Sequence, residues 1–133
     1  MDLYKDLPDL NYSVEIDMKG EFTKLPYKGE FSCKIPNLGD RADSDKRRAL
    51  LNAGLDVTLR QDVLEFHNKI AYLGVVIEKA PDWWVDSKDG LHLLDGNVVS
   101  AIYDKVSEYE DDWMKKVSGD YQEPEEKSNE KAE

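Results

Sequence analysis

The sequence predicts an α+β fold: a short N-terminal antiparallel hairpin or three-stranded sheet packed on about three helices, followed by a disordered acidic tail. Three observations predict it. Apolar residues alternate with polar ones in the first third of the chain, recur at intervals of three and four beyond residue 58, and nearly vanish after residue 117. The 133 residues, 40% of them hydrophobic, are enough for one core and too few for two comfortable domains. Residues 1–117 are therefore read as a single folded domain and 118–133 as a tail.

The strands fall within about residues 10–36. Tyr12, Val14 and Ile16 keep a period of two, as do Phe31, Cys33 and Ile35, and Gly20, Pro26 and Gly29 supply turn chemistry between them. A segment around Glu21–Lys24 adds a third candidate for pairing, and the second strand ends at Pro36. A hairpin of this size needs helices to pack on.

The pattern then turns helical. A first helix over about 40–53 takes Asp40 as N-cap and Gly54 as its stop. Its apolar content is modest, with Ala42, Ala49, Leu50 and Leu51, so much of its surface is expected to be wet. A second helix spans about 58–79. Thr58-Leu59-Arg60-Gln61 fits a capping box, and Leu59, Val63, Phe66, Ile70, Leu73 and Ile77 form one core stripe. Residues 72–78 also suit a buried strand, because Gly74 and the β-branched residues weaken a helix there. Helix to about Lys79 is the favoured reading, with Pro81 forcing the stop. If the stripe is core, Phe66→Ala costs about 3–5 kcal/mol. A loop from Pro81 to Leu94 carries Trp83 and Trp84. The last helix, about 96–117, places Val98, Ile102, Val106, Tyr109 and Trp113 on its apolar stripe, widened by Val99 and Tyr103.

Charge narrows the function classes. Charged residues make up 35% of the chain, the formal net charge is −11, the isoelectric point is about 4.6 and the mean hydropathy is −0.69. The segment 118–133 carries −4 of that charge, which leaves −7 on residues 1–117. Such a field repels phosphate backbones and anionic lipid, so neither nucleic acid nor membrane is an expected partner. The basic group Arg41, Lys46, Arg47 and Arg48 is offset by Asp40, Asp43 and Asp45 and reads as a solvated helix face. A single cysteine, Cys33, allows no internal disulfide and suits a reducing cytosol. The N-terminus lacks the pattern of a signal peptide, and the longest apolar run, Leu73–Ile77, is far short of a membrane span.

Catalytic chemistry finds little support. Nucleophilic catalysis needs a nucleophile, a base and an orienting group, and the chain offers Cys33, His67 and His92 in no recognisable arrangement. Cys33 reads as a small buried hydrophobe on a strand. Asp82, Asp86, Asp89 and Asp95 lack the ligand alternation of a calcium loop. The glycines never cluster to cradle a phosphate. No catalytic residue, metal site or cofactor is expected, and the sequence points away from an enzyme. Aromatic side chains dominate protein-binding hot spots. Trp83 and Trp84 can therefore either plug the core between the helices or anchor a partner, with one expected inside and the other at a surface. The apolar surfaces of the second and third helices are also compatible with a homo-oligomer.

Four segments carry a family likeness: Lys28-Gly-Glu-Phe-Ser-Cys-Lys-Ile-Pro-Asn-Leu-Gly-Asp40, Lys46-Arg-Arg-Ala-Leu-Leu-Asn-Ala-Gly54, Ile70-Ala-Tyr-Leu-Gly-Val-Val-Ile-Glu-Lys-Ala-Pro-Asp-Trp-Trp84 and Val99-Ser-Ala-Ile-Tyr-Asp-Lys-Val-Ser-Glu-Tyr-Glu110. In order and spacing they resemble small tail assembly chaperones of tailed bacteriophages, over roughly residues 28–117. Arg41-Ala-Asp-Ser-Asp45 is more polar than the helix start usual in such proteins. The resemblance implies a factor in the host bacterial cytoplasm that binds the tape measure protein or tail tube subunits during tail morphogenesis, with Trp83, Trp84, Tyr103, Tyr109 and Trp113 as its candidate protein-binding residues. It would leave before the virion is complete. A virion structural protein, such as a head–tail connector or minor tail component, and an acidic adaptor or inhibitor of a host protein are the competing expectations.

Overall fold

The computed structural model describes residues 3–119. Apart from Ser118 and Gly119, the expected tail 118–133 lies outside the described residues. Among the described residues the architecture is α+β: a three-stranded antiparallel sheet with four helices. Strand β1 (Asn11–Lys19) pairs antiparallel with β2 (Pro26–Lys34), and β2 pairs with the short β3 (Ile77–Lys79), giving the order β1-β2-β3. The helices are α1 (Leu38–Asn52), α2 (Gln61–Val76), α3 (Asp82–Asp86) and α4 (Gly96–Ser118).

The period of two sorts the strands by face. Val14, Ile16, Tyr27, Phe31 and Cys33 are buried on the inner face, while Ser13, Glu15, Asp17, Lys28 and Glu30 are exposed on the outer one. Ile70, Leu73 and Val76 from α2 and Val98, Val99, Ile102 and Val106 from α4 complete one core against that inner face. Of the helical stripes expected from the spacing, Ile70 and Leu73 of α2 and Val98, Ile102 and Val106 of α4 lie in this core, Phe66 and Ile77 pack half-buried at its margin, and Leu59, Val63 and Tyr109 are half-buried outside it. Helix α1 packs on α2, and Ala49 and Leu50 stay exposed, as its modest apolar content implies.

Four local expectations are corrected. Residues 21–24 form no strand; they turn the chain between β1 and β2. The N-cap of α1 is Asn37, whose side chain accepts from the Asp40 N–H at 2.8 Å while Asp40 accepts from the Asn37 N–H at 3.0 Å. Asp40 is therefore the third residue of a reciprocal capping box. The Asn37 N–H, with Lys34 beside it, holds the Asp40 carboxyl below its usual range.

At α2 the expected box at Thr58 does not form. The Thr58 N–H closes a turn onto the Leu55 carbonyl, and the helix begins at Gln61 after Arg60, which offers no side-chain cap. Asp62 in the first turn accepts from the Val63 N–H instead. At its far end α2 stops at Val76, three residues before the favoured boundary. Ile77 adopts φ −82° and ψ 121° and pairs with Cys33, while Lys79 pairs with Ser32. Pairing with β2 prevails where β-branched Val75, Val76 and Ile77 make a further helical turn weak.

One buried acid ties sheet to helix. Asp95 precedes α4 and is fully buried. Its carboxylate accepts from the Phe22 N–H (2.7 Å), the Thr23 N–H (2.9 Å), the Thr23 hydroxyl (2.5 Å) and the Tyr27 hydroxyl (2.8 Å). Burial alone would push this carboxyl up. The donors from Thr23, Tyr27 and Phe22 outweigh it and hold the pKa down at about 2. Gly20 is required beside it, because a Cβ there would lie 2.2 Å from Asp95 Cγ. Asn97 adds a second clamp, accepting from the Glu21 N–H and donating to the Lys19 carbonyl.

Candidate functional site

The five candidate binding residues fall in three places. Trp84 is 1% exposed and belongs to the core, edge-on to Phe31. Gly90, at φ 92°, lies so close over it that a Cβ would be 2.5 Å from the indole ring. Trp83 is half-buried and packs edge-on to Tyr27 and Phe31. Its indole N–H donates to the Lys28 carbonyl at 3.0 Å, on the side of β2 that runs beyond β3. One tryptophan is inside and the other at the boundary, as the divergence of adjacent helical side chains requires.

Tyr103 lies between α2 and α4, edge-on to Tyr72, with the Lys69 ammonium 5.6 Å from its ring centre. Tyr72 in turn donates a hydrogen bond to Glu110. Burial raises the pKa of Glu110, opposed by Tyr72 and Arg41. The Tyr12 hydroxyl is buried nearby and has no hydrogen-bond partner among the described residues.

Tyr109 and Trp113 do come together. Tyr109 stacks on Tyr12 with ring centres 3.8 Å apart, and its hydroxyl donates to the Asp9 carbonyl. The Trp113 indole donates to the Pro8 carbonyl at 3.3 Å. Together they hold the segment before β1 against the second half of α4. Between that segment, the β2–α1 connection and the end of α4 lies an open groove of about 660 Å³, lined by Leu7, Leu10, Ile35, Leu38, Trp113 and Met114, with Arg41 at its margin. The capping box at Asn37 sets Leu38 as the first residue of α1 and leaves it 86% exposed; Met114 is 56% exposed. Apolar surface left open in this way, rimmed by polar groups, is what a partner-binding surface looks like.

Sequence reasoning missed Leu10, Leu38 and Met114. The signal for Leu38 was present: an apolar residue directly after a capping Asn, outside any stripe. Nothing local marked Leu10 or Met114, since the groove joins segments about a hundred positions apart.

The groups considered for catalysis are dispersed. Cys33 is buried, and burial, with Glu78 and Glu110 adding, pushes its thiol up to about 12, far from a reactive thiolate. His67 bonds to Asn52 at 2.8 Å, and His92 is exposed in the turn after α3. Among the described residues no group of three or more His, Cys, Asp or Glu is placed to hold a metal ion, and no helix is long and apolar enough to cross a membrane. Comparison with known protein families, with curated proteins and with solved structures returns no match.

Proposed function

We propose that this chain is a non-catalytic binding protein that holds an apolar segment of a partner in the groove at the end of α4. Following the resemblance of residues 28–117, the partner is the tape measure protein or a tail tube subunit, met in the bacterial cytoplasm during phage tail assembly. The observation that carries the reading is the exposure of Leu38 and Met114 beside Trp113 in a groove large enough for several apolar side chains. A helix of a client laid along it would bury apolar faces on both sides. The acidic surface, at −11 for the chain, would keep the complex dispersed.

The test is co-expression with the tail proteins, followed by affinity capture and mass spectrometry. Capture of the tape measure or tube protein by the native chain, and its loss with Leu38→Asp and Met114→Asp together, is the expected result. Capture of a host enzyme in its place would favour an acidic inhibitor. Stoichiometric presence in purified particles would make the chain a virion component.

A further inference from the structure

The two sides of the sheet are finished differently. Beyond β3 the Trp83 indole takes the Lys28 carbonyl on the outer side of β2, and Pro81 lies against Gly29. The other side is β1, the outermost strand in the order β1-β2-β3. The Ile35 N–H donates to the Leu10 carbonyl and the Gly20 N–H to the Leu25 carbonyl. With the register Tyr12↔Cys33 through Met18↔Tyr27, these bonds place the even residues of β1 in the hydrogen-bonded pairs. The N–H and C=O groups of Ser13, Glu15 and Asp17 therefore point away from β2. Among the described residues none of them has a hydrogen-bond partner. The open stretch ends at Lys19, whose carbonyl is taken by Asn97.

The side chains along this edge select what can pair with it. Glu15 stands opposite Glu30 in a non-hydrogen-bonded pair, the geometry that brings side chains closest, and both are exposed. Neither has an ion-pair partner among the described residues, and Asp17 meets Lys28 only at 3.9 Å. A second copy added antiparallel about Glu15 would set glutamate against glutamate, so self-pairing is opposed. A basic residue opposite Glu15 would relieve the repulsion from Glu30. On the inner face, the same added strand would run beside buried Val14 and Ile16, so apolar side chains there would continue their row.

We infer that the β1 edge accepts an extended segment of a partner protein that alternates basic and apolar residues, joined to the sheet as an antiparallel fourth strand. Main-chain bonds to Ser13, Glu15 and Asp17 give the affinity; lysine or arginine opposite Glu15 gives the choice of partner. This surface does not depend on the groove at α4 and is tested with different residues.

The experiment uses the full chain labelled for amide exchange and three nine-residue peptides: one alternating lysine and valine, the same peptide N-methylated on its pairing side, and one alternating glutamate and valine. With the lysine peptide, exchange at the Ser13, Glu15 and Asp17 amides is expected to slow by about tenfold or more, while the already bonded even amides change little. N-methylation, which keeps the charge and removes the main-chain donors, is expected to abolish both binding and protection. Glu15→Lys is expected to weaken the lysine peptide by about threefold to fivefold and to shift preference toward the glutamate peptide. Absence of binding would overturn the inference, as would equal binding of the methylated peptide or slowed exchange confined to other regions. Protection of the same amides without peptide, together with a dimer mass, would overturn it in favour of self-pairing.

Discussion

The Tyr27 hydroxyl donates to the Asp95 carboxylate at 2.8 Å, joining the residue that precedes α4 to β2 across 68 positions of sequence. With the Phe22 and Thr23 donors it makes Asp95 the point at which the β1–β2 turn is fastened to the helical layer. A buried acid surrounded by donors tolerates loss of its own charge worse than loss of any single donor. Asp95→Asn is expected to lower the melting temperature by on the order of 10 °C, since an amide presents two hydrogens to a site built of donors. Tyr27→Phe, which removes one donor, is expected to cost about 1 kcal/mol. Thermal and urea unfolding of both variants checks the order.

The same carboxyl sets an acid limb of stability. Its folded pKa, about 2, lies below the roughly 3.9 of a free aspartate. The contribution is therefore fully present above about pH 4 and is lost as pH falls toward 2. Urea midpoints measured across that window should fall in the native chain, and the part due to this group should be missing in Asp95→Asn.

Glu110 has the opposite sign. Burial raises its folded pKa, so its contribution is present below the pKa of a free glutamate and is lost as pH rises through the folded value. Glu110→Gln is expected to flatten that part of the profile while leaving the acid limb of Asp95 in place, measured by the same titration.

The α2 stripe separates into core and margin. Leu73 is fully buried, so Leu73→Ala is expected to cost about 3–4 kcal/mol. Phe66 is half-buried, and Phe66→Ala is now expected to cost about 1–2 kcal/mol, below the 3–5 kcal/mol that a fully buried ring would imply. Equal losses for the two variants in chemical denaturation would contradict this division.

Leu38 offers the converse case. Being almost wholly exposed, it should tolerate Leu38→Asp within about 0.5 kcal/mol. The same substitution is expected to reduce capture of the client, so unchanged stability with reduced capture separates a docking residue from a structural one.

Much of this fold was legible in local spacing, and the limits of that legibility are physical. Alternation over Tyr12–Ile16 and Phe31–Ile35 located β1 and β2, and steps of three and four located the apolar faces of α2 and α4, because each period reflects which neighbours share a face within one turn or one pleat. Where α2 ends was undecided between helix and strand in the sequence; the β2 edge decided it by offering Ile77 and Lys79 partners in Cys33 and Ser32. The binding residues follow the same division. Aromatic content nominated Trp83 and Trp84, and the family resemblance added Tyr103, Tyr109 and Trp113. Only packing put Trp84 inside and Trp83 on the Lys28 carbonyl 55 positions away. Only packing set Trp113 against Pro8, 105 positions away, to form the groove. An acid such as Asp95 reads as surface in any local window, and it is buried because four donors from another part of the chain converge on it. Periodicity is a property of neighbours along the chain and was determined by the sequence itself, whereas the satisfaction of buried polar groups and free strand edges depends on distant partners that only the tertiary structure brings together.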